Sequence, residues 1–587
     1  MRRPARLGAF SHIRAPTAGA FFVMATDISA DRLALQRLYH WERTTPDRVV
    51  FTQPYGPGDV REFTWRQVMD QSRRMAAHLQ SLGVAPGDRV ALMSKNTAHW
   101  MMSDFAIWMA GGVSVPLYPT LAPHTIGQIL EHSGAKVLFV GKLDGWEGMR
   151  PGIPEGMPCI SHPLSPADAK QRYPGWDDIV GRTPPMAGEP VRDGAELCTI
   201  MYTSGTTGVP KGVMQSFDTF AWGVQAGLKR VSGIDQSSRM LSYLPLAHVA
   251  ERTLVEHGLL ATGMHVFFAE SLDTFIADLQ RARPTAFFSV PRLWVKFQQG
   301  VSAKVPPAKL ARLLKIPILR GIVKRKVLSG LGLDQCTFAG GGAAPMPPDL
   351  LRWYGALGLE ITELYGMTEN CGVSHGTLPG KPRPGTVGLP FDGVQSRIDP
   401  ATGEIQMRAP CLMLGYYREP ELTAQTFTAD GWLHTGDKGE LDAEGNLRIT
   451  GRVKDLFKTS KGKYVAPAPI EDRLVMHSAV EACCVTGPNM SQPLALLMLN
   501  PDAAARAVSA SGRGELEASL EAHLAGVNAN LDPHERLDCV VVTTEAWTVD
   551  NDLITPTFKV KRNRIEQVFA ARYEGWVTSG RRVVWME

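Results

Sequence analysis

The sequence predicts an α/β protein in two parts. A large N-terminal domain of two sheet-and-helix units plus a small β unit is followed by a small α+β domain. Three observations lead there. The chain is 587 residues long, beyond what one ordinary core can serve, so two or more domains are expected. Helical and strand signals alternate over most of its length, the pattern of a mostly parallel sheet covered by helices. From Gly385 to Asp442 that pattern gives way to short strands and turns, and it restarts after a charged, glycine-containing segment around Gly451. The expected boundaries are a tail over 1–28, a large domain over 29–452 and a small one over 453–587.

Composition narrows the class. Hydrophobic residues at 44% and charged residues at 20% are those of a globular protein. A net charge of +4 is small for this length and gives no reason to invoke nucleic acid. The eight cysteines are scattered, with Cys483 and Cys484 adjacent. That spacing argues for neither zinc nor a disulfide framework and suits a reducing cytoplasm. The longest uncharged run, Phe105 to Pro123, holds Gly111, Gly112, Pro116 and Pro119. It reads as a helix end followed by a buried strand, not as a membrane span. Arg2, Arg3, Arg6 and Arg14 precede an apolar patch, Ala20 to Ala25, that is too short for a signal core. The first 28 residues therefore read as a tail or an upstream start.

In chain order, Trp65, Val68, Met75, Leu79 and Leu82 fall at helical spacing. Strand-like runs follow at Val90–Met93, Val113–Tyr118 and Lys136–Val140, and the Pro- and Gly-rich stretch 142–195 reads as a loose connection. The alternation resumes with a helix from about Phe217, a strand near Met240, a helix from Val249 and strands at His265–Phe268 and Ala286–Val290. Residues 302–332 differ, because leucines and isoleucines interleave with Lys and Arg, interrupted at Pro317. This basic amphipathic stretch has two readings: peripheral contact with an anionic membrane, on its inner face, or a packed helix with a solvated basic side.

The chemistry centres on Tyr202-Thr203-Ser204-Gly205-Thr206-Thr207-Gly208-Val209-Pro210-Lys211-Gly212, preceded by the apolar run Leu197–Met201. Gly205, Gly208 and Gly212 permit tight turns that present N–H groups to an anion. Thr203, Ser204, Thr206 and Thr207 add hydroxyls and Lys211 a positive charge, so a polyphosphate suits the loop. The P-loop pattern does not fit: the position of its second glycine falls on Pro210, and Gly212 replaces its Ser/Thr. Downstream, Tyr365-Gly366-Met367-Thr368-Glu369 follows a strand-like run, where an aromatic ring, a hydroxyl and a carboxylate converge on a crevice. Tyr365 offers a ring for a base, Thr368 a hydroxyl for a phosphate oxygen and Glu369 a ligand for Mg²⁺. His248 has Glu251, Glu256 and His257 nearby, two histidines and two carboxylates, but no H-E-x-x-H or H-x-x-E-H order points to zinc.

Taken together and in order, these motifs resemble the adenylate-forming superfamily, and within it the bacterial long-chain fatty acid–CoA ligases. The motifs after the phosphate loop are Gly340–Pro345, Tyr365–Glu369, Thr435-Gly436-Asp437, Gly451-Arg452 and Thr555–Arg562. The resemblance implies ATP, Mg²⁺ and coenzyme A as reactants with a fatty acid. It places Gly341, Gly342 and Ala343 along the adenine and the acyl group. Asp437 and Arg452 are assigned to the ribose, and His248 stands between the acyl pocket and the thiol tunnel. Lys559 is implied to stabilise the adenylation transition state. The loop Thr459–Val465, with Gly462, serves the coenzyme A step. The small domain is then mobile, with Lys454 as its hinge. Phe558 stands where many relatives carry Gly. The resemblance leaves open a medium-chain or aryl acid, and a carrier protein in place of coenzyme A.

Overall fold

The computed structural model describes residues 27–204, 210–555 and 559–586, with Ser204 described for its backbone only. The first alternating segments build a seven-stranded sheet. Val113–Leu117, Arg89–Met93, Val137–Val140 and Cys159–Ser161 run parallel in it, while Leu197–Ser204 and Pro210–Ser216 form an antiparallel pair at the other end. These strands are short apolar runs because both faces are covered. Helix Ala98–Met109, for instance, is buried on every side. Helix Trp65–Ser81 starts on a capping box made by Thr64 and Gln67 and buries Trp65, Val68, Met75 and Leu79. Leu82, grouped with that face by spacing, is exposed because the helix has ended.

Residues 142–195 are more ordered in outline than their Pro and Gly content predicts. Cys159–Ser161 adds an edge strand, and helix Trp176–Arg182 buries Trp176 and Ile179. Such short runs do not stand out among turn residues.

The second sheet system lies in two abutting pieces. One is four-stranded, in the order Asp59–Thr64, Val49–Gly56, His265–Phe268, Arg239–Ser242. The other carries Ala286–Ser289, Phe338–Gly342 and Ile361–Tyr365 in parallel, with two short antiparallel strands beyond. Thr285 N donates to Arg239 O at 3.0 Å where the two meet. Gln395–Ile398, Glu404–Arg408, Leu433–Leu441 and Leu447–Arg452 make the small antiparallel β unit.

The small C-terminal part has its own four-stranded sheet, from Val480–Thr486 to Val583–Trp585. Helix Ala510–Asn528 packs on one face through Leu516, Leu520 and Leu524, and helix Arg562–Phe569 packs on the other through Ile565 and Phe569. Arg292 of the large part and Glu481 of the small one form an ion pair between them.

Candidate active site

Strand Leu197–Ser204 delivers the phosphate-loop sequence, and Thr203 pairs with Lys211 across the hairpin. Gly205, Thr206, Thr207 and Gly208 lie outside the described residues, as does the Ser204 side chain. Gly212 sits inside the returning strand, where a Cβ would come 2.7 Å from Ile200 Cγ2. Its lack of a side chain therefore serves packing, not a turn. Gly415–Tyr416 pairs with Val213 and Met214 on the same strand, which brings the Tyr416 ring 5.5 Å from the Lys211 ammonium. The Tyr416 hydroxyl donates to Glu369 Oε1 at 2.8 Å. Burial, then the Glu369 charge, push that phenol upward. Sequence reasoning missed Tyr416, which belongs to no motif and acts through strand pairing.

Thr368 and Glu369 lie on a single 3₁₀ turn, Thr368–Asn370, directly after strand Ile361–Tyr365. The turn is held by Asn370 Oδ1 accepting from Met367 N at 2.8 Å and by Gln215 Nε2 donating to Thr368 O at 2.7 Å. Met413 N donates to Glu369 O at 2.8 Å. Tyr365 points its hydroxyl to Asp437 Oδ2 at 2.7 Å, and Arg452 Nε donates to Asp437 Oδ1 at 2.9 Å. Asp437 and Arg452 are direct cross-strand partners. Residues far apart in sequence thus share one carboxylate. Asp437 raises the Arg452 pKa, and burial holds the Tyr365 phenol well above its usual range.

Gly341 and Gly342 end the neighbouring strand, buried against Met346 and Phe288. A Cβ on Gly342 would lie 2.5 Å from Leu364 O, so only glycine allows that approach. Ala343 follows at φ 66, a left-handed conformation that is uncommon for a residue with a side chain.

The small domain contributes Lys559. Its N–H donates to Thr555 Oγ1 at 3.0 Å and its carbonyl accepts from Thr555 N, closing a turn. Pro556, Thr557 and Phe558 lie outside the described residues. The Lys559 side chain keeps solvent contact yet stands inside the crevice. Desolvation by the surrounding walls lowers its pKa, helped by Arg452 and opposed by Asp437 and Glu369. His248 faces the same crevice: burial, then Lys559, bring its pKa to about 4. Its Nδ1 accepts from Ala250 N at 3.2 Å, so the neutral ring carries its proton on Nε2. Gly462 is elsewhere, at an exposed turn with φ 75, its N–H bonded to Thr459 O within the small domain.

An apolar cavity is lined by His248, Ala343 and Gly366 together with Val231, Ile234 and Met240. Helix Phe217–Arg230 lines it with Gly223 and Gly227, and a Cβ on Gly227 would meet nothing within 4 Å. Two helical glycines cost about 1 kcal/mol each relative to alanine; here they leave room. A π-helical turn, Arg252–His257, packs against that helix, with Phe220 stacked on His257, and adds Thr253 and Leu254 to the lining. Such turns cluster at functional sites.

The loop ending at His248 is fixed by Asn96, which the motifs did not flag, and by Glu251. Asn96 accepts from Leu246 N at 3.0 Å and donates to Leu244 O and to Glu251 Oε1. Glu251 Oε1 also accepts from Ser242 Oγ at 2.7 Å and Tyr243 N at 3.0 Å. Burial raises Glu251 to about 8. No cluster of three His, Cys, Asp or Glu side chains able to hold a metal occurs among the described residues.

The comparisons agree with this architecture. The family described as AMP-binding enzyme matches residues 38–417, and its C-terminal domain matches 454–576. The long-chain-fatty-acid–CoA ligase FadD15 of Mycobacterium bovis is 30% identical, over 92% of this chain and 96% of its own. Long chain acyl-CoA synthetase 7, peroxisomal, of Arabidopsis thaliana is 28% identical, over 90% of this chain and 84% of its own. Among solved structures, the adenylation domain of a Mycobacterium chelonae carboxylate reductase superposes with a TM-score of 0.78 at 22% identity, covering 93% of this chain and 91% of that one. The anthranilate CoA ligase AuaEII with anthranoyl-AMP gives 0.74 at 22%, covering 93% and 99%. At that identity the superpositions speak for the fold. The match of the AMP-binding family over most of the large domain, together with the near full-length relatives, shows that this chain belongs to the AMP-binding enzyme family.

Proposed function

We propose that the protein joins a long-chain fatty acid to ATP, giving an acyl adenylate and pyrophosphate, and then passes the acyl group to the thiol of coenzyme A with release of AMP. The observation that carries this reading is the apolar cavity, whose mouth at His248 and Ala343 lies beside the crevice holding Lys559. The long-chain names of the near full-length relatives favour the same substrate class.

In the first step a carboxylate approaches a phosphate, so two anions must meet. Lys211 and Lys559 supply fixed positive charge where negative charge builds up. Thr203 to Gly208 cradle the phosphates and Thr368 donates to one. The adenosine lies along Gly341, Gly342, Ala343 and Tyr365, its ribose between Asp437 and Arg452. Mg²⁺ fits the donors present: Glu369 keeps one oxygen beyond the Tyr416 contact, and this ion is commonly held by one or two carboxylates plus substrate phosphates and water. The ion would neutralise phosphate charge. Glu369→Gln should then lower adenylation at least about a hundredfold and raise the magnesium concentration needed for half-maximal rate. An unchanged magnesium dependence would remove Glu369 from that role.

Lys559 and Gly462 sit on one small domain, and Lys559 stands close enough to Glu369, Asp437, Arg452 and His248 to exchange charge effects with them. This arrangement suits the first half-reaction. For the second, the small domain (453–587) would turn about Lys454 to bring the loop Thr459–Val465 to the thiol, with His248 at the tunnel.

ATP–pyrophosphate exchange measured against short, medium and long straight-chain acids and benzoates, with coenzyme A thioester formation as the second readout, tests the reading. Gly227→Met should block the depth of the cavity and shift preference toward shorter acids. Loss of two or three methylene sites at about 0.8 kcal/mol each corresponds to roughly thirtyfold against the longest acid. Exchange with benzoates alone, unaffected by Gly227→Met, would overturn the long-chain assignment.

A further inference from the structure

The stretch 302–332 resolves into helix Pro307–Lys315 and helix Pro317–Gly330, joined at Ile316 and packed as a hairpin. The hairpin is poorly anchored. The first helix buries only Leu310 and the second buries no residue at all. Helices of this length are marginal alone in water, and proteins normally stabilise them by packing an apolar face. Here much of that face points out. Ile318 is 84% exposed, Ile322 63% and Ile316 44%. Ile318 and Ile322 are one turn apart, and Arg325 and Lys326 continue the same stripe.

Charge around these isoleucines has one sign. No Asp or Glu occurs from Leu279 to Leu333. Lys309, Arg312, Lys315, Arg320, Arg325 and Lys326 are all exposed, and none makes an ion pair among the described residues. A chain of net charge +4 thus gathers uncompensated cations on one small hairpin. A merely solvated basic face would not also project β-branched side chains into water. That combination matches an interface in which apolar tips enter the acyl boundary while cations meet anionic headgroups, their methylene stems lying along the surface. No helix among the described residues is long and apolar enough to cross a membrane, so the contact would be peripheral.

We propose that the 307–330 hairpin docks the protein on anionic lipid bilayers, with Ile316, Ile318 and Ile322 entering the interface and the surrounding Lys and Arg residues paired with lipid phosphates. Lipid is favoured over an acidic protein because exposed Ile316, Ile318 and Ile322 stand among the uncompensated cations, so one small hairpin offers apolar side chains and positive charge together. The hairpin is tied to the cavity wall, since helix Pro291–Lys304 connects it to strand Ala286–Ser289, whose Ala286 and Phe288 line the cavity. The proposal does not rest on the identity of the acid.

Flotation of the full-length protein tests it, with vesicles of phosphatidylcholine alone and of phosphatidylcholine mixed with phosphatidylglycerol, at low and high salt. Binding to the anionic vesicles at low salt, lost at high salt and absent from neutral ones, is expected. Each cation near such a surface strengthens binding roughly fivefold. Arg325→Glu with Lys326→Glu should therefore weaken binding on the order of tenfold or more. Ile318→Ser with Ile322→Ser keeps every charge and changes only exposed side chains, and it should also weaken binding on the order of tenfold. Thermal unfolding of both variants at the parent temperature would show that the fold is intact. No flotation, equal flotation with neutral vesicles, or unchanged binding of the isoleucine variant would overturn the proposal. The last outcome would leave a purely electrostatic patch, as fits an acidic protein.

Discussion

Lys559→Ala is expected to cut pyrophosphate release from fatty acid and ATP by on the order of 10²–10³-fold, the loss typical of removing one preorganised donor from a developing charge. Conversion of a supplied acyl adenylate to the thioester should be nearly unchanged. The division follows from where the side chain stands. Lys559 shares the crevice with Glu369, Asp437 and Arg452, and its charge reaches His248 at the mouth of the cavity. The second half-reaction adds no anion at a phosphate, so it has no use for that charge. Desolvation by the neighbouring walls, then Arg452, hold the ammonium below the usual lysine pKa. The adenylation rate should therefore fall on the alkaline side before an ordinary lysine would titrate. His248, brought to about 4, stays neutral across the working range and would not produce a break near neutrality. Lys559→Arg separates charge from shape, because a planar guanidinium keeps the charge but not the compact point donor. If Lys559→Ala impaired both half-reactions equally, the assignment of the two steps to different faces of the small domain would be wrong.

How far the sequence revealed the site depended on whether its chemistry lies in contiguous runs. Leu197–Ser204 and Tyr365–Glu369 were readable because an apolar strand leads directly into the polar residues it positions. The basic hairpin was readable for the same reason, its composition and the break at Pro317 being local. What could not be read are contacts made by pairing. Tyr416 reaches Glu369 only because Gly415–Tyr416 happens to add to the strand after the phosphate loop. Asn96 and Glu251 lie 155 residues apart and meet over the His248 loop. Gly223 and Gly227 carry no motif, and their value shows only once the cavity beside them is seen. The stretch 142–195 misled because turn residues outnumber the few buried ones that give it structure.

The π-helical wall of the cavity rests on a charge cluster that joins Arg252 and Glu256 to the sequence-distant Asp104, and breaking it should have the largest effect on stability. Arg252, Asp104 and Glu256 have no exposed side-chain surface. Arg252 pairs with Asp104 and lies 3.3 Å from Glu256 Oε2, and it also donates to Ser114 and Thr199 at 3.3 Å. Burial raises the Glu256 pKa well above the usual carboxyl value and raises that of Asp104 as well, while the Arg252 charge opposes both shifts; Asp104 is the closer counter-charge of Arg252. Arg252→Met would strand the Asp104 charge in the core, and removal of one partner of a buried pair costs about 3–5 kcal/mol. Asp104→Asn combined with Arg252→Met should recover most of that loss, since removing both charges leaves none unpaired. Glu256 adds a pH signature. Its folded pKa lies above its unfolded one, so its contribution is complete at acid pH and is lost as pH rises through the folded value. Glu256→Gln should therefore flatten the pH dependence and be neutral or stabilising in mildly alkaline buffer. Urea midpoints of the large domain's transition, compared in mildly acid and mildly alkaline buffer, read all three variants. Because Thr253 and Leu254 on the same turn line the cavity, while Thr253 Oγ1 donates to Cys371 O at 2.8 Å, Arg252→Met should also loosen the acyl wall. Equal urea midpoints for the parent, Arg252→Met and the double variant would mean that the ion pair holds neither the fold nor that wall.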